Sequence, residues 1–285
     1  MTSAPRSRRA RPATAAATAG LAALLLLLAL PVHAQGWDLT LAIGGITEPI
    51  YPGSEHSYVV PIIDLRAETR RGPWSFSGSL LQGIDVTWFD PERGLLVSLN
   101  LNQGDERRRD VYSVAGFEVD HRASTRRLLS GSPELSNPIN GTLMVGVLSP
   151  IGIVGASVAY VPTKVTGNAG ESTRHGVLAS LLHMLVLPVG DRLEMSTLAR
   201  VEFMDGEAAD TWYTADEIAG VRDGFRAGAG LRDASLAAQL RYSLTERVSI
   251  TGVVQYTRLL GDAGASPFTT ARGQTTALLQ TEYRF

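Results

Sequence analysis

The last nine residues, Ala277-Leu278-Leu279-Gln280-Thr281-Glu282-Tyr283-Arg284-Phe285, alternate in character up to a terminal aromatic. Successive side chains of a strand point to opposite faces, so Ala277, Leu279, Thr281, Tyr283 and Phe285 share one side while Gln280, Glu282 and Arg284 share the other. One side suits lipid and the other a wet interior. A soluble edge strand carries the same alternation, so the rest of the chain has to decide.

The other end narrows the choice. Residues 1–34 have the layout of a secretory leader: Arg6, Arg8, Arg9 and Arg11, then an apolar run from Leu21 to Leu30, then Val32 and Ala34 as small residues before a cleavage point. A helical anchor is the competing reading, but the run falls short of the ~20 residues that a span needs. Cleavage after Ala34 removes four basic residues and no acidic one, leaving 22 basic against 28 acidic residues, a net charge of −6. Such a balance does not recommend nucleic acid as a partner. The chain has no cysteine, which excludes disulfides, thiolate metal sites and cysteine nucleophiles.

Beyond the leader the longest apolar stretch, 177–189, is broken by Ser180 and His183, so no helix of about 18 apolar residues is available to cross a bilayer. A chain that enters a membrane as strands must close into a barrel, because only closure satisfies every backbone N–H and C=O in hydrocarbon without helices. Period-two segments recur as that requires. Leu193, Met195, Thr197, Ala199, Val201 and Phe203 oppose Glu194, Ser196, Arg200 and Glu202; Leu236, Ala238, Leu240, Tyr242 and Leu244 oppose Ala237, Gln239, Arg241 and Ser243. Similar patterns begin at Trp37, Leu95 and Val248, with weaker ones at 57–67, 73–79, 82–89, 139–149, 152–162 and 175–188.

Tight turns with Pro, Gly and Asp chemistry are expected at 90–94, 149–152, 188–191 and 245–247. Long polar connections are expected at 103–138, 163–174, 205–230 and 260–273. Outer-membrane barrels have short periplasmic turns and longer external loops. If both ends of the barrel lie in the periplasm, the strand number is even; breaking 75–89 near Leu80-Leu81 gives twelve, with ten as the alternative. The expected fold is therefore all-β, an antiparallel up-and-down transmembrane barrel of the outer membrane over residues 35–285. A short helix is expected within 210–221, and 103–138 either plugs the barrel or stands outside it. Tyr51, Trp37, Trp74, Trp88, Trp212, Tyr242, Tyr256 and Tyr283 are candidates for aromatic girdles at the two interfaces.

Several motifs together resemble one family. Pro49-Ile50-Tyr51-Pro52-Gly53-Ser54 follows the first strand, Trp212-Tyr213-Thr214 precedes Gly230, and Arg241-Tyr242-Ser243-Leu244 leads to Tyr256-Thr257-Arg258-Leu259-Leu260-Gly261-Asp262-Ala263, Ser266-Pro267 and Tyr283-Arg284-Phe285. In order and spacing these are similar to the MipA/OmpV family of outer-membrane proteins, also called MltA-interacting or scaffolding proteins. The resemblance implies an outer-membrane barrel, in some members a scaffold joining a murein hydrolase to a murein synthase and in others an adhesin, antigen or permeability-related protein, with no agreed catalytic residues. The expectation is a non-enzymatic scaffold for such envelope partners, without a cofactor. The terminal Phe285 two residues after Tyr283 also resembles the signal read by barrel-assembly machinery. The stretch 106–138 departs from the family pattern.

Candidate chemistry is sparse. Arg200, Glu202, Gln239, Arg241, Glu282 and Arg284 should face the lumen, as a pore lining or as an ion-pair network filling a narrow barrel, since charges on the lipid face are costly. Arg107-Arg108-Arg109 with Arg126-Arg127 would suit lipopolysaccharide phosphates, or form a solvated charge run beside outer-membrane lipid. Ser54 with His56, and Asp120-His121, are the pairs that a hydrolase would use, yet no nucleophile elbow or zinc motif accompanies them. A small channel for polar solutes is the alternative to a scaffold, and an outer-membrane hydrolase the second alternative.

Overall fold

The computed structural model describes residues 36–114, 117–137, 139–167 and 170–285, so the expected leader at 1–34 lies outside the described residues. The chain from Trp37 to Phe285 forms one compact unit. In chain order it runs β1 (Asp38–Pro49), β2 (Ser57–Arg71), β3 (Trp74–Ser79), β4 (Gly83–Asp90) and β5 (Leu95–Asn102). A long excursion follows, holding β6 (Glu106–Arg107), β7 (Val111–Val114), β8 (Phe117–Asp120), α1 (Ala123–Leu128) and β9 (Glu134–Ser136). Then come β10 (Asn140–Ser149), β11 (Gly152–Gly167), β12 (Gly170–Pro188), β13 (Leu193–Met204), α2 (Gly206–Tyr213), β14 (Gly230–Ser243), β15 (Val248–Leu259), α3 (Gly261–Ala265) and β16 (Gly273–Arg284).

Twelve of these strands, β1–β5 and β10–β16, pair antiparallel with their sequence neighbours, and β1 with β16 closes the ring from Thr40↔Arg284 to Thr47↔Ala277. The break near Leu80-Leu81 and the strand number of twelve match the reading from sequence. Alternation is carried into the wall. Ile43, Leu99, Leu143, Val158, Leu181, Leu236, Val254 and Leu279 all stand exposed around the outside, while Ser98, Ser180, Glu202, Ser249, Thr251 and Gln280 are buried on the inside. A continuous exposed apolar surface is untenable in water but is the lipid face of a transmembrane barrel. The molecule is an outer-membrane β-barrel.

The two rims differ. At the rim where Trp37 and Phe285 lie, the connections are tight, including the turn at Gly72-Pro73, and Arg284 pairs with Asp38 at 2.5 Å. Trp37, Trp74, Tyr242, Tyr283 and Phe285 are exposed there, which places an amphipathic ring at an interface. Fewer aromatics ring the opposite rim, where Tyr160, Phe203 and Tyr256 stand outward. Tyr51 and Trp212 belong to neither girdle: Tyr51 is buried in a loop and Trp212 sits on α2.

Three expectations need correction. Residues 163–174 are not a polar loop, because β11 and β12 stay paired from Ile153↔Met184 to Gly167↔Gly170. The hairpin outruns its neighbours, since β10 leaves β11 at Gly141↔Tyr160. The bare edge is covered by β9, which pairs Leu135 with Val165 and extends to β6, removing an open edge. The hairpin's polar residues on both faces hide it as a strand, since this part no longer faces lipid. The helix of the 205–230 connection lies earlier than expected, at Gly206–Tyr213, because Asp205 caps it by accepting from the Ala208 N–H at 2.7 Å. Ala215 and Ile218 instead form bridges to Phe225 and Arg222. Finally, β2 extends to Arg71 rather than ending near 67.

Candidate functional site: a capped lumen

The loops of the second rim are knitted into a cap. The connection 50–56 packs on 260–272 through backbone bonds, with the Thr270 and Ala271 N–H groups donating to the Gly53 carbonyl at 2.8 and 3.0 Å. Gln274 joins both, accepting from the Gly53 N–H and donating to the Ser54 carbonyl. Gly53 adopts φ of 101°, and a Cβ there would lie 2.7 Å from the Thr269 Oγ1, so only glycine fits. Beneath this contact Ile50, Tyr51, Val60, Tyr112, Leu129, Ala215 and Phe268 form one apolar cluster drawn from four connections and from β2.

Arg107 holds the cap from within. It is buried, its guanidinium lies 4.2 Å from the centre of the Phe268 ring, and Nη1 donates to the Trp212 carbonyl. On the same ring Arg222 stands 5.2 Å away while donating to the Leu128 and Ser130 carbonyls. Arg107 is therefore no member of a solvated run. Burial pushes its pKa down to about 10, against the pull of Tyr51 and Tyr213. Burial likewise drives Tyr51 up to about 12, with Arg107 opposing. Arg108 and Arg109 pair with Glu106, Glu118 and Glu134 instead of presenting free charge.

Below the cap a charged cluster lies on the inner face of β12–β14. Glu202 accepts from the Arg232 Nη1 at 2.6 Å and the Ser180 hydroxyl at 3.0 Å. Arg200 Nη1 lies 3.6 Å from Glu202, and Arg232 Nε lies 3.4 Å from Asp233. Strict alternation would send either Arg232 or Asp233 into lipid. The register shifts between Glu202 and Phe203, so that Glu202 faces Asp233 and Phe203 faces Leu231, and both charged residues meet the interior cluster. The bulge is what makes the adjacent pair tolerable. From the loop side, Asp105 reaches to 3.9 Å from Arg232. Gly104 allows that approach: a Cβ there would stand 2.5 Å from the Asn137 Cβ.

The segment 103–105 borders two cavities. One, of about 290 Å³, is lined by Asn102, Asn140, Thr142, Ser157, Thr211 and Trp212 together with Arg200, Glu202 and Arg232. The other, of about 490 Å³, lies toward Glu48, Tyr112, Gln255 and Gln274. Further toward the tight-turn rim the inner face of the wall is laced by hydrogen bonds between neighbouring strands: Glu282 accepts from Thr251, Gln280 and Ser249 and pairs with Arg241 at 3.1 Å. Asp64 accepts from Ser79, and Asp85 from Thr87 and Ser98.

The sequence model of the family described as MltA-interacting protein MipA matches residues 41–285, nearly the whole described chain. The chain belongs to the MipA family. No curated protein matches it. Among solved structures, the translocator domain of autotransporter NalP from Neisseria meningitidis is similar at 12% identity, TM-score 0.41, with 96% of this chain and 97% of that one covered. The NanC porin is similar at 7% identity and TM-score 0.42, covering 86% of this chain and 100% of that one. The toluene transporter TodX of Pseudomonas putida stands at 10% identity and TM-score 0.39, covering 90% and 92%.

In this MipA-family barrel the residues singled out from sequence fall in three places. Tyr51, Gly53 and Ser54 meet Phe268, Thr270, Ala271 and Gln274 in the cap, and in the adjoining 261–267 segment the Ser266 hydroxyl donates to the Tyr213 carbonyl and Asp262 accepts from the Gly228 N–H. Pro49 ends β1 beneath them and Pro267 is half-buried. Leu259 is enclosed against α2, while Tyr256 and Arg258 are exposed near the loop end of β15 and Phe285 is exposed at the opposite rim. Arg200 and Glu202 meet in the upper lumen, Arg241 and Glu282 meet in the lower, half-buried Gln239 lies on β14 between these levels, and exposed Arg284 pairs at the rim.

Neither histidine pair forms a catalytic dyad. Ser54 Oγ meets the backbone of His56 and not its ring, and His121 Nε2 faces the Arg108 carbonyl at 3.1 Å. Sequence reasoning passed over Ser180, Arg232, Asp233 and Asp105. The adjacent Arg232-Asp233 pair, which breaks the alternation of β14, was the signal available.

Proposed function

We propose that this MipA-family barrel is a non-conducting, non-enzymatic structural platform of the outer membrane. Its family description names an interaction with MltA, and the reading extends to murein-processing enzymes as the partner class. In this reading residues 1–34 are a cleaved leader, barrel-assembly machinery inserts the chain among outer-membrane lipid and lipopolysaccharide, the tight-turn rim faces the periplasm and the cap faces outward. A periplasmic partner then meets the short polar turns at 91–94, 189–192 and 244–247.

The carrying observation is the cap, where Arg107 and Arg222 pin the long connections together through Phe268 and Trp212, above inner-face charges that are paired between neighbouring strands, Glu202 with Arg200 and Arg232, and Glu282 with Arg241. A cap of this kind covers one end of the barrel, and charges already paired along the wall are not presented singly to a passing solute. Among the described residues the His175 ring bonds to Tyr160, the His121 and His183 rings face backbone carbonyls and the His56 ring lies 3.8 Å from Glu55, which supports a role without catalysis.

Single-channel recording on refolded residues 35–285, beside a variant deleting 105–136, tests the reading. Silence from the intact barrel is expected; stepwise conductance would overturn it. The two cavities favour one second reading, a gated channel for polar solutes, and conductance by the deletion variant alone would select it. Binding to a purified MltA-type hydrolase, weakened by charge reversal at Arg93, Arg192 and Arg247, tests the platform itself.

A further inference from the structure

The 290 Å³ cavity under the cap is built unlike the rest of the interior. Elsewhere inside the barrel the carboxylates Asp64, Asp85 and Glu282 are enclosed by hydroxyl and amide donors. Here polar groups are enclosed and left unused. Among the described residues, the side-chain oxygens of Asn102 and Asn140 and the Nε of Arg200 are buried without a hydrogen-bond partner. All three residues line this one cavity, as does Arg232, whose Nε is likewise without a hydrogen-bond partner; the other such atoms belong to Glu106, Arg107, Arg109 and His121 in the cap segment and to Asp233. Buried polar groups are nearly always satisfied, and leaving one unmade is costly, so their concentration at one cavity points to an occupant that supplies the missing partners.

The chemistry of the wall restricts that occupant. Its charged lining residues are Arg200, Arg232, Glu202 and Asp105, two of each sign. They are committed to one another, Glu202 by Arg232 and Ser180 and Asp105 by Arg232. An ionic ligand would have to break that network to find a counter-charge. Besides the Nε groups of Arg200 and Arg232, what remains free is neutral: the amides of Asn102 and Asn140, and the hydroxyls of Thr142, Ser157 and Thr211. Trp212 adds an aromatic wall, its Nε1 already donating to Thr163. Neutral donors and acceptors in several directions around one apolar face match a ring with many hydroxyls. The volume is at the small end of ligand sites, which begin near ~300 Å³, and suits one such ring with its substituents.

We propose that this cavity is a binding site for a neutral polyhydroxylated solute of monosaccharide size, recognised by Asn102, Asn140 and Trp212 beneath the cap. The site is independent of conductance, so a silent lumen and an occupied cavity are compatible.

Calorimetric titration of the refolded barrel tests this, in a detergent without a sugar headgroup. Glucose and N-acetylglucosamine serve as neutral probes, and glucuronate and lysine as charged ones. Saturable binding of at least one neutral sugar is expected, with the charged probes weaker. Asn140→Leu removes the amide from the cavity wall and should weaken binding by about tenfold or more, the loss expected when buried hydrogen-bond partners are removed. Because Asn140 opens a wall strand, Thr142→Val serves as a second variant that keeps shape and removes one hydroxyl; both are checked for the folded barrel's electrophoretic mobility before titration. Absence of saturable binding by either sugar, unchanged affinity in both folded variants, or preference for glucuronate or lysine would each overturn the proposal.

Discussion

The wall and the cap of this barrel are stabilised in different ways. Every wall strand pairs with its sequence neighbours, and side chains need only alternate, apolar toward lipid and polar toward the lumen. The cap has little regular pairing of its own. It depends on side chains that reach distant backbone, such as Arg107 to Trp212, Arg222 to Leu128 and Ser266 to Tyr213. A repeating rule tolerates many residues at each position, whereas a set of singular contacts tolerates few. The cap should therefore melt separately from the wall, and at lower cost.

The strongest way to break that distinction is Phe268→Ala. Phe268 is 2% exposed and lies between two guanidinium groups, and truncating a buried Phe costs about 3–5 kcal/mol. The loss should appear as faster hydrogen exchange in 105–137 and 206–229 with the wall strands unchanged; equal loosening of the wall would show that cap and wall are one unit. Conversely, Leu181→Arg places a charge on the outward face of β12, where Leu181 is 60% exposed to lipid. It should lower the stability of the inserted barrel by about 2–4 kcal/mol in denaturant titration, leaving cap protection relative to the wall as before.

A smaller effect is expected for Gly53→Ala, which forces a side chain onto φ of 101° against Thr269. About 1–2 kcal/mol of left-handed strain should loosen the 50–56 and 260–272 contact, read as exchange of the Thr270 and Ala271 amides. The smallest effect concerns pH. Burial lowers the pKa of His121 from 6.5, with Arg126 adding to it while Asp110, Asp120 and the Arg108 carbonyl oppose. An opened cap then binds the proton more readily than a closed one. Cap stability is fullest above the ordinary histidine value, falls as pH drops through it, and levels off below the folded value. Exchange of the cap amides between about pH 5 and 7.5 checks the sign, and His121→Asn should flatten the dependence.

The same division explains what could be read from the chain beforehand. The face pattern of β13, β14 and β16 and the strand number follow from period two and parity, because lipid imposes one requirement on every strand. Where that requirement ends, the signal ends. The upper β11–β12 hairpin is polar on both faces, so nothing in Thr163 to Arg174 marked it as paired. Arg107 sits in a run of three arginines, and its burial depends on Phe268 and Trp212, more than a hundred residues away. The start of α2 follows a capping Asp205 that is one acidic residue among many. Of the upper cluster, Arg200 and Glu202 followed from alternation, whereas Arg232 needed a bulge that only pairing with β13 defines.

One feature of the wall bears on when it forms. The seam joins β1 to β16, and Asp38 meets Arg284 across a sequence separation of 246 residues. Until β16 is present β1 has a bare edge, and so has whichever strand was made last, each a template for association with another chain. The wall is therefore not assembled gradually as the chain emerges. It passes from two adhesive edges to none in a single late event, and whatever shepherds the chain to the membrane must shield both ends of the sheet until that moment.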